Sequence, residues 1–190
     1  MRIETSRRQF LAQLGAASLA LTSESARADK SGFGLSTITW NVLGCRGYPR
    51  NKYTENSLDA ASPELHLAIA DALAGTDADV ITLCECPDEA RVSAIAERLG
   101  FHQAYFLSGW PGDNEYPGGF PGAILSRYPI REIVNCPVVG RRDADLFTRH
   151  FGKAILDPPA GTLAIFSAHL HPPDAAIRLR EIDAVLHAVG

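Results

Sequence analysis

Beyond residue 30 the chain has no run of eighteen or more apolar residues, which excludes a membrane-spanning helix from its body. It has no internal repeat, which excludes a solenoid or propeller, and no low-complexity tract. Basic residues are the minority, 18 Lys and Arg against 22 Asp and Glu, for a net charge of −4. That balance argues against a tight, sequence-independent grip on nucleic acid, which depends on many lysine and arginine contacts to phosphate. It does not exclude a nuclease, because a metal ion supplies positive charge locally. Cysteines are few (Cys45, Cys84, Cys86 and Cys136), and no second Cys or His pair stands at zinc-finger spacing. Cys84 and Cys86 flank Glu85 inside an apolar run, where small buried thiols are common. Their disulfide state stays open.

What is present is a profile with a core: 190 residues, 46% apolar and 21% charged, enough for one soluble globular domain. The N-terminus stands apart from it. Ser6-Arg7-Arg8-Gln9-Phe10-Leu11 precedes an apolar stretch through Leu21, and Ala26-Arg27-Ala28 supplies small residues at −3 and −1 of a cut. This order describes an export signal, and the paired Arg7 and Arg8 resemble the twin-arginine type. The expectation is a signal peptide over residues 1–28 cleaved after Ala28, with the domain over 29–190. The protein would then meet the twin-arginine export machinery, reach the periplasm or the medium, and keep no stable membrane anchor. Losing residues 1–28 removes four arginines and two glutamates, taking the net charge to −6.

Along the domain, strands and helices alternate. Leu35 to Val42 is β-branched and aromatic-rich and reads as a strand. Ser62-Pro63-Glu64 reads as a helix start, with Leu65, Ile69 and Leu73 at helical spacing and Gly75 as the stop. Asp79 to Glu85 is a nearly continuous apolar strand of the kind covered on both faces. Pro87 to Leu99 is the next helix, ended by Gly100. Strands follow at 102–107, 123–127 and 132–138, separated by a Gly- and Pro-rich loop at 108–121 that carries Trp110, Tyr116 and Phe120. Those loop aromatics either touch a substrate or lipid surface, or pack over the core edge. Phe151 to Leu156 and Thr162 to Leu170 pair as an antiparallel hairpin. Residues 173–189 close the chain as a helix. The pattern predicts a mixed α/β sheet with helices outside.

Three polar residues end apolar strands: Asn41, Glu85 and His169. Gathered on one sheet edge, a carboxylate and an amide oxygen suit Mg2+ or Mn2+, which take few protein ligands and keep several waters. A metal there neutralises a phosphate oxygen, and the imidazole hydrogen-bonds the phosphoryl group or moves a proton. Each has a plainer role open to it. Asn41 caps a turn, Glu85 favours the positive end of the following helix, and His169 is a hydrogen-bonded histidine at a strand end.

The order T-W-N-V, D-V-I-T-L-C-E, G-A-I-L-S-R-Y-P-I, A-I-F-S-A-H-L, then an arginine-bearing helix, resembles the endonuclease/exonuclease/phosphatase superfamily, over roughly residues 35–190. The resemblance implies a four-layer αββα sandwich of the deoxyribonuclease I-like type, of which this chain would hold about the first half. It also implies a metal-dependent phosphoesterase whose substrate is nucleic acid, a phospholipid headgroup or a small phosphate ester. By the same likeness Glu85 ligates the metal (Mg2+ or Mn2+), Asn41 lies beside it and His169 faces the scissile phosphate. Arg178 then matches a supporting arginine on the helix that follows, and Asp143 or Asp145 could lie near the cleft. Cys84 departs from the glutamine usual before the glutamate. The chain stops at Gly190, before the expected G-D-x-N strand and the final aspartate–histidine pair. On this reading it is a fragment that does not turn over alone, with one apolar sheet face lacking a partner. A non-catalytic module using the same cleft for binding is the alternative.

Overall fold

The computed structural model describes residues 33–45, 65–113, 118–136 and 146–190. The export segment, the helix start at Ser62-Pro63-Glu64, and Tyr116, Asp143 and Asp145 lie outside the described residues.

Four strands make the first sheet: β1 (Thr37–Asn41), β2 (Val80–Cys84), β3 (His102–Phe106) and β4 (Gly122–Ser126). Their order is β1-β2-β4-β3, with β1 parallel to β2 and β4 antiparallel to both β2 and β3. The period of two sorts their side chains. Ile81, Leu83, Ala123 and Leu125 face one buried cluster, whereas Val80, Ile124, Ala104 and Phe106 face another. Apolar side chains on both faces explain why β2 reads as a continuous apolar run.

Two helices cover the first face. Helix α1 (Leu65–Ala74) buries Ile69, Ala70 and Leu73, and α2 (Glu89–Leu99) buries Val92, Ile95 and Ala96. Asp88, one residue inside the expected Pro87 start, caps α2 by accepting from the Arg91 N–H at 2.9 Å. Gly100 ends it at φ 67, returning its N–H to the last turn. Each fully buried Leu, Ile or Val here contributes about 1.5–3 kcal/mol of transfer free energy.

The second face meets a second sheet. It contains β5 (Ile130–Asn135), β6 (Phe151–Leu156) and β7 (Leu163–Ala168), antiparallel throughout and ordered β5-β6-β7. Ala154, Leu156, Ile130 and Ile165 join the Val80–Phe106 cluster, so the two sheets pack face to face. A Cβ on Gly152 would lie 2.1 Å from the Phe106 ring, which is why the sheets close tightly there. The final helix α3 (Ala175–Val189) is capped by Asp174. The hairpin forms as β6 and β7, and the described helices fall within the ranges read from the sequence, whereas the strand read at 132–138 lies earlier, as β5 over Ile130–Asn135.

One expectation needs correcting. The second sheet was expected from residues beyond Gly190, yet β5–β7 already build it, because their alternate residues are apolar and face inward. The first sheet therefore has both faces covered. Among the described residues, exposed large apolar side chains gather on α3, at Leu179, Ile182, Leu186 and Val189, with Phe33, Leu107 and Ile133 exposed elsewhere.

Candidate functional site

Parallel pairing sets Asn41 opposite Cys84, so β1 and β2 end on one edge and Glu85 follows directly. The backbone there is pinned: the Val42 N–H donates to Cys84 O at 2.9 Å, Gly44 to Glu85 O at 2.6 Å, and Cys86 to Pro121 O at 2.9 Å. Glu85 itself adopts φ 52, a left-handed conformation unusual outside glycine. Leu43 and Phe147, each two residues from a site side chain, share that feature, as do Cys45 and Cys136. Strain of this kind clusters at functional sites, where the surroundings over-determine the backbone.

His169 follows β7, its backbone N–H bonded to His150 O at 3.0 Å, and its ring reaches the same edge. His169 Nε2 stands 3.8 Å from Glu85 Oε1. Between them comes a residue the sequence reading missed. Arg149 Nη1 donates to Glu85 Oε1 at 2.9 Å and lies 3.4 Å from His169 Nε2. The side chains of Arg149, Glu85 and His169 are 15%, 13% and 18% exposed, so water screens this cluster little. Arg149 also lies over the Phe120 ring, 3.8 Å from Cζ to centroid, and Phe120 stacks on Trp110 at 5.5 Å. The site thus straddles both sheets, with Glu85 from the first and Arg149 and His169 from the second.

Burial, and then the Arg149 charge, lower the His169 pKa to about 4, with Glu85 opposing. The imidazole is neutral at pH 7. His150 behind it is fully buried, with Nε2 3.0 Å from Ser167 Oγ, and burial lowers its pKa to about 3. Cysteine plays no ionised part here, since burial pushes Cys45 up to about 12 and Cys84 up to about 11.

Asn41 shares the edge by register, exposed, with Oδ1 accepting from the Leu43 N–H at 3.0 Å. Its turn-capping role is real. Arg178 does not touch the cluster; its Nη1 donates to the carbonyls of His171 (3.1 Å) and Pro172 (2.5 Å), holding the loop that follows His169. Glu181 holds that loop too. The one fully buried residue of α3, it accepts from the His171 N–H at 2.6 Å and the Phe147 N–H at 2.8 Å.

Among the described residues, no group of three or more His, Cys, Asp or Glu gathers to hold a metal. What the edge offers is the Glu85 carboxylate and the Asn41 amide, an oxygen-only pair that fits Mg2+ or Mn2+ completed by water or further donors. Arg149 pairs with Glu85 at the same edge.

Comparison with known proteins bears on the family and the fold. The pattern of the Endonuclease/Exonuclease/phosphatase family matches residues 38–189. No curated protein matches the chain by sequence. Among solved structures, D. rerio TDP2 complexed with single strand DNA product is 20% identical, with a TM-score of 0.52 over 82% of this chain and 54% of that one. A Leptotrichia buccalis endonuclease/exonuclease/phosphatase family protein is 14% identical, with a TM-score of 0.53 over 81% and 62%. ANGEL2, a 2',3'-cyclic phosphatase, is 20% identical, with a TM-score of 0.53 over 80% and 46%. The chain therefore spans less than two thirds of the length of each, and at these identities the likeness establishes the fold.

Proposed function

Since the chain belongs to the endonuclease/exonuclease/phosphatase family, we propose that it carries the phosphate-binding half of a metal-dependent phosphoesterase. The supporting observation is the meeting on one edge of Glu85 from the first sheet with Arg149 and His169, which flank the β6–β7 hairpin of the second. Arg149 offers a fixed guanidinium to a phosphate oxygen, and bidentate geometry suits it to that partner. Neutral His169 donates or accepts a hydrogen bond at the phosphoryl group without adding charge. Glu85, with Asn41 beside it, holds Mg2+ or Mn2+. The bound ion supplies charge neutralisation as water attacks phosphorus and the ester P–O bond breaks. Glu181 and Arg178 fix the loops around Arg149 and His169 and stay off the substrate. The single strand DNA product held by TDP2 and the 2',3'-cyclic phosphatase ANGEL2 favour a phosphate ester as substrate.

The test is hydrolysis of a chromogenic phosphodiester by the longest product of the gene, with Mg2+ and with chelator. We expect loss of activity with chelator and at least about a hundredfold loss in Glu85→Ala, the scale of removing one preorganised charge-stabilising group. Activity indifferent to both would remove the metal role. The paired Glu85 and Arg149 favour a second reading, a non-catalytic module that binds phosphate through Arg149 with Glu85 neutralised. Phosphate binding with no turnover by the longest product would select it.

Export belongs to the same proposal, on the order of Arg7-Arg8, the apolar stretch and Ala26-Arg27-Ala28. Replacing Arg7 and Arg8 by lysine should strand the protein in the cytoplasm, read by cell fractionation. Unchanged fractionation would discard the twin-arginine route.

A further inference from the structure

The loop before β4 holds two aromatic rings that neither core uses. Trp110 and Phe120 are both half-buried, and neither belongs to either buried apolar cluster. Their rings stack at 5.5 Å and 25°, and Phe120 meets His169 edge-on at 6.5 Å. Residues 108–110 are bonded to the segment that carries Arg149. The Trp110 N–H donates to Thr148 O at 2.6 Å, Gly109 to Arg149 O at 2.7 Å, and Ser108 Oγ to Thr148 O at 3.0 Å. Gly119, at φ 69, permits the close return: a Cβ there would meet Trp110 O at 2.2 Å. A rigid aromatic surface so placed costs little entropy when a ligand stacks on it.

We propose that Trp110, backed by Phe120 and beside Arg149, is a stacking subsite for the base of a nucleotide ester whose phosphate lies at Arg149 and His169. This rests on the phosphoesterase reading and names its substrate class. Phe120 links His169 and Trp110, edge-on to the first and stacked on the second, so the aromatic pair borders the edge where the phosphate would lie. Every base has a π-face, so stacking is tolerant of sequence. A quaternary ammonium headgroup, the other usual guest of aromatic rings, is opposed by the guanidinium already over Phe120. Bases inside a duplex present no free face, and the chain is acidic, so the ligand is a single strand or a mononucleotide.

The experiment titrates the full chain with AMP and with ribose 5-phosphate, following tryptophan emission in a Trp40→Phe background and affinity by calorimetry. AMP should quench Trp110 and bind about tenfold more tightly than ribose 5-phosphate, within the range of base–aromatic stacking. Trp110→Ala should abolish that preference and Trp110→Phe keep most of it, circular dichroism confirming that both fold. Equal binding of the two ligands overturns the subsite and leaves the phosphate reading standing. Binding of neither removes both. A preference that survives Trp110→Ala overturns the assignment. So does Trp110-dependent sedimentation with phosphatidylcholine vesicles without an AMP preference, which gives the loop to lipid.

Discussion

At the scale of single residues, His150 shows how the site is built from what surrounds it. Its ring fills the space above Gly122, where a Cβ would stand 2.1 Å from Nε2, and its carbonyl anchors His169. Burial favours the neutral ring, with a folded pKa near 3 against about 6.5 unfolded. As pH falls the unfolded chain takes up the proton first. The contribution is therefore intact above about 6.5 and drains away toward 3, by roughly 1.4 kcal/mol per pH unit. Urea denaturation over that range should show stability falling with acid, less steeply in His150→Gln. Equal slopes would discard the buried neutral histidine. None of this was legible beforehand. Asn41, Glu85 and His169 advertise themselves as polar ends of apolar strands, but Arg149 sits in an ordinary loop. Its meaning comes from Glu85, 64 positions away, and only the folded chain supplies that contact.

At the scale of elements, strands and helices were readable because their signals are local: a continuous apolar run in β2, a period of 3.6 in α1 and α2. Strand order was not, since β4 inserts between β2 and β3 and no local pattern encodes that neighbour. Helix α3 shows the same divide. Its helical spacing is plain, yet its one fully buried residue is the charged Glu181, which binds the N–H groups of Phe147 and His171. Replacing Glu181 by alanine deprives both of that acceptor and should cost about 2–4 kcal/mol, read by chemical denaturation. Phosphate affinity should fall with it, since the loops carry Arg149 and His169. Glu181→Gln should recover part of each. A variant that loses stability with phosphate affinity intact would make Glu181 structural only.

At the scale of the whole molecule, the first sheet is sealed by two helices and a second sheet, but α3 presents Leu179 and Leu186, each 64% exposed, with Ile182 and Val189 alongside. An apolar stripe of this kind favours association. Sedimentation should show the isolated chain self-associating with concentration, and Leu179→Glu with Leu186→Glu should shift it toward monomer. A chain already monomeric at high concentration would contradict this. The interleaved first sheet has a consequence for the nascent polypeptide. Because β4 lies between β2 and β3, a ribosome must release the chain past Ser126 before any four-stranded order exists. Until then the edge of β2 that β4 pairs with stays open, so newly made protein passes through a window in which chaperones compete with its own next strand.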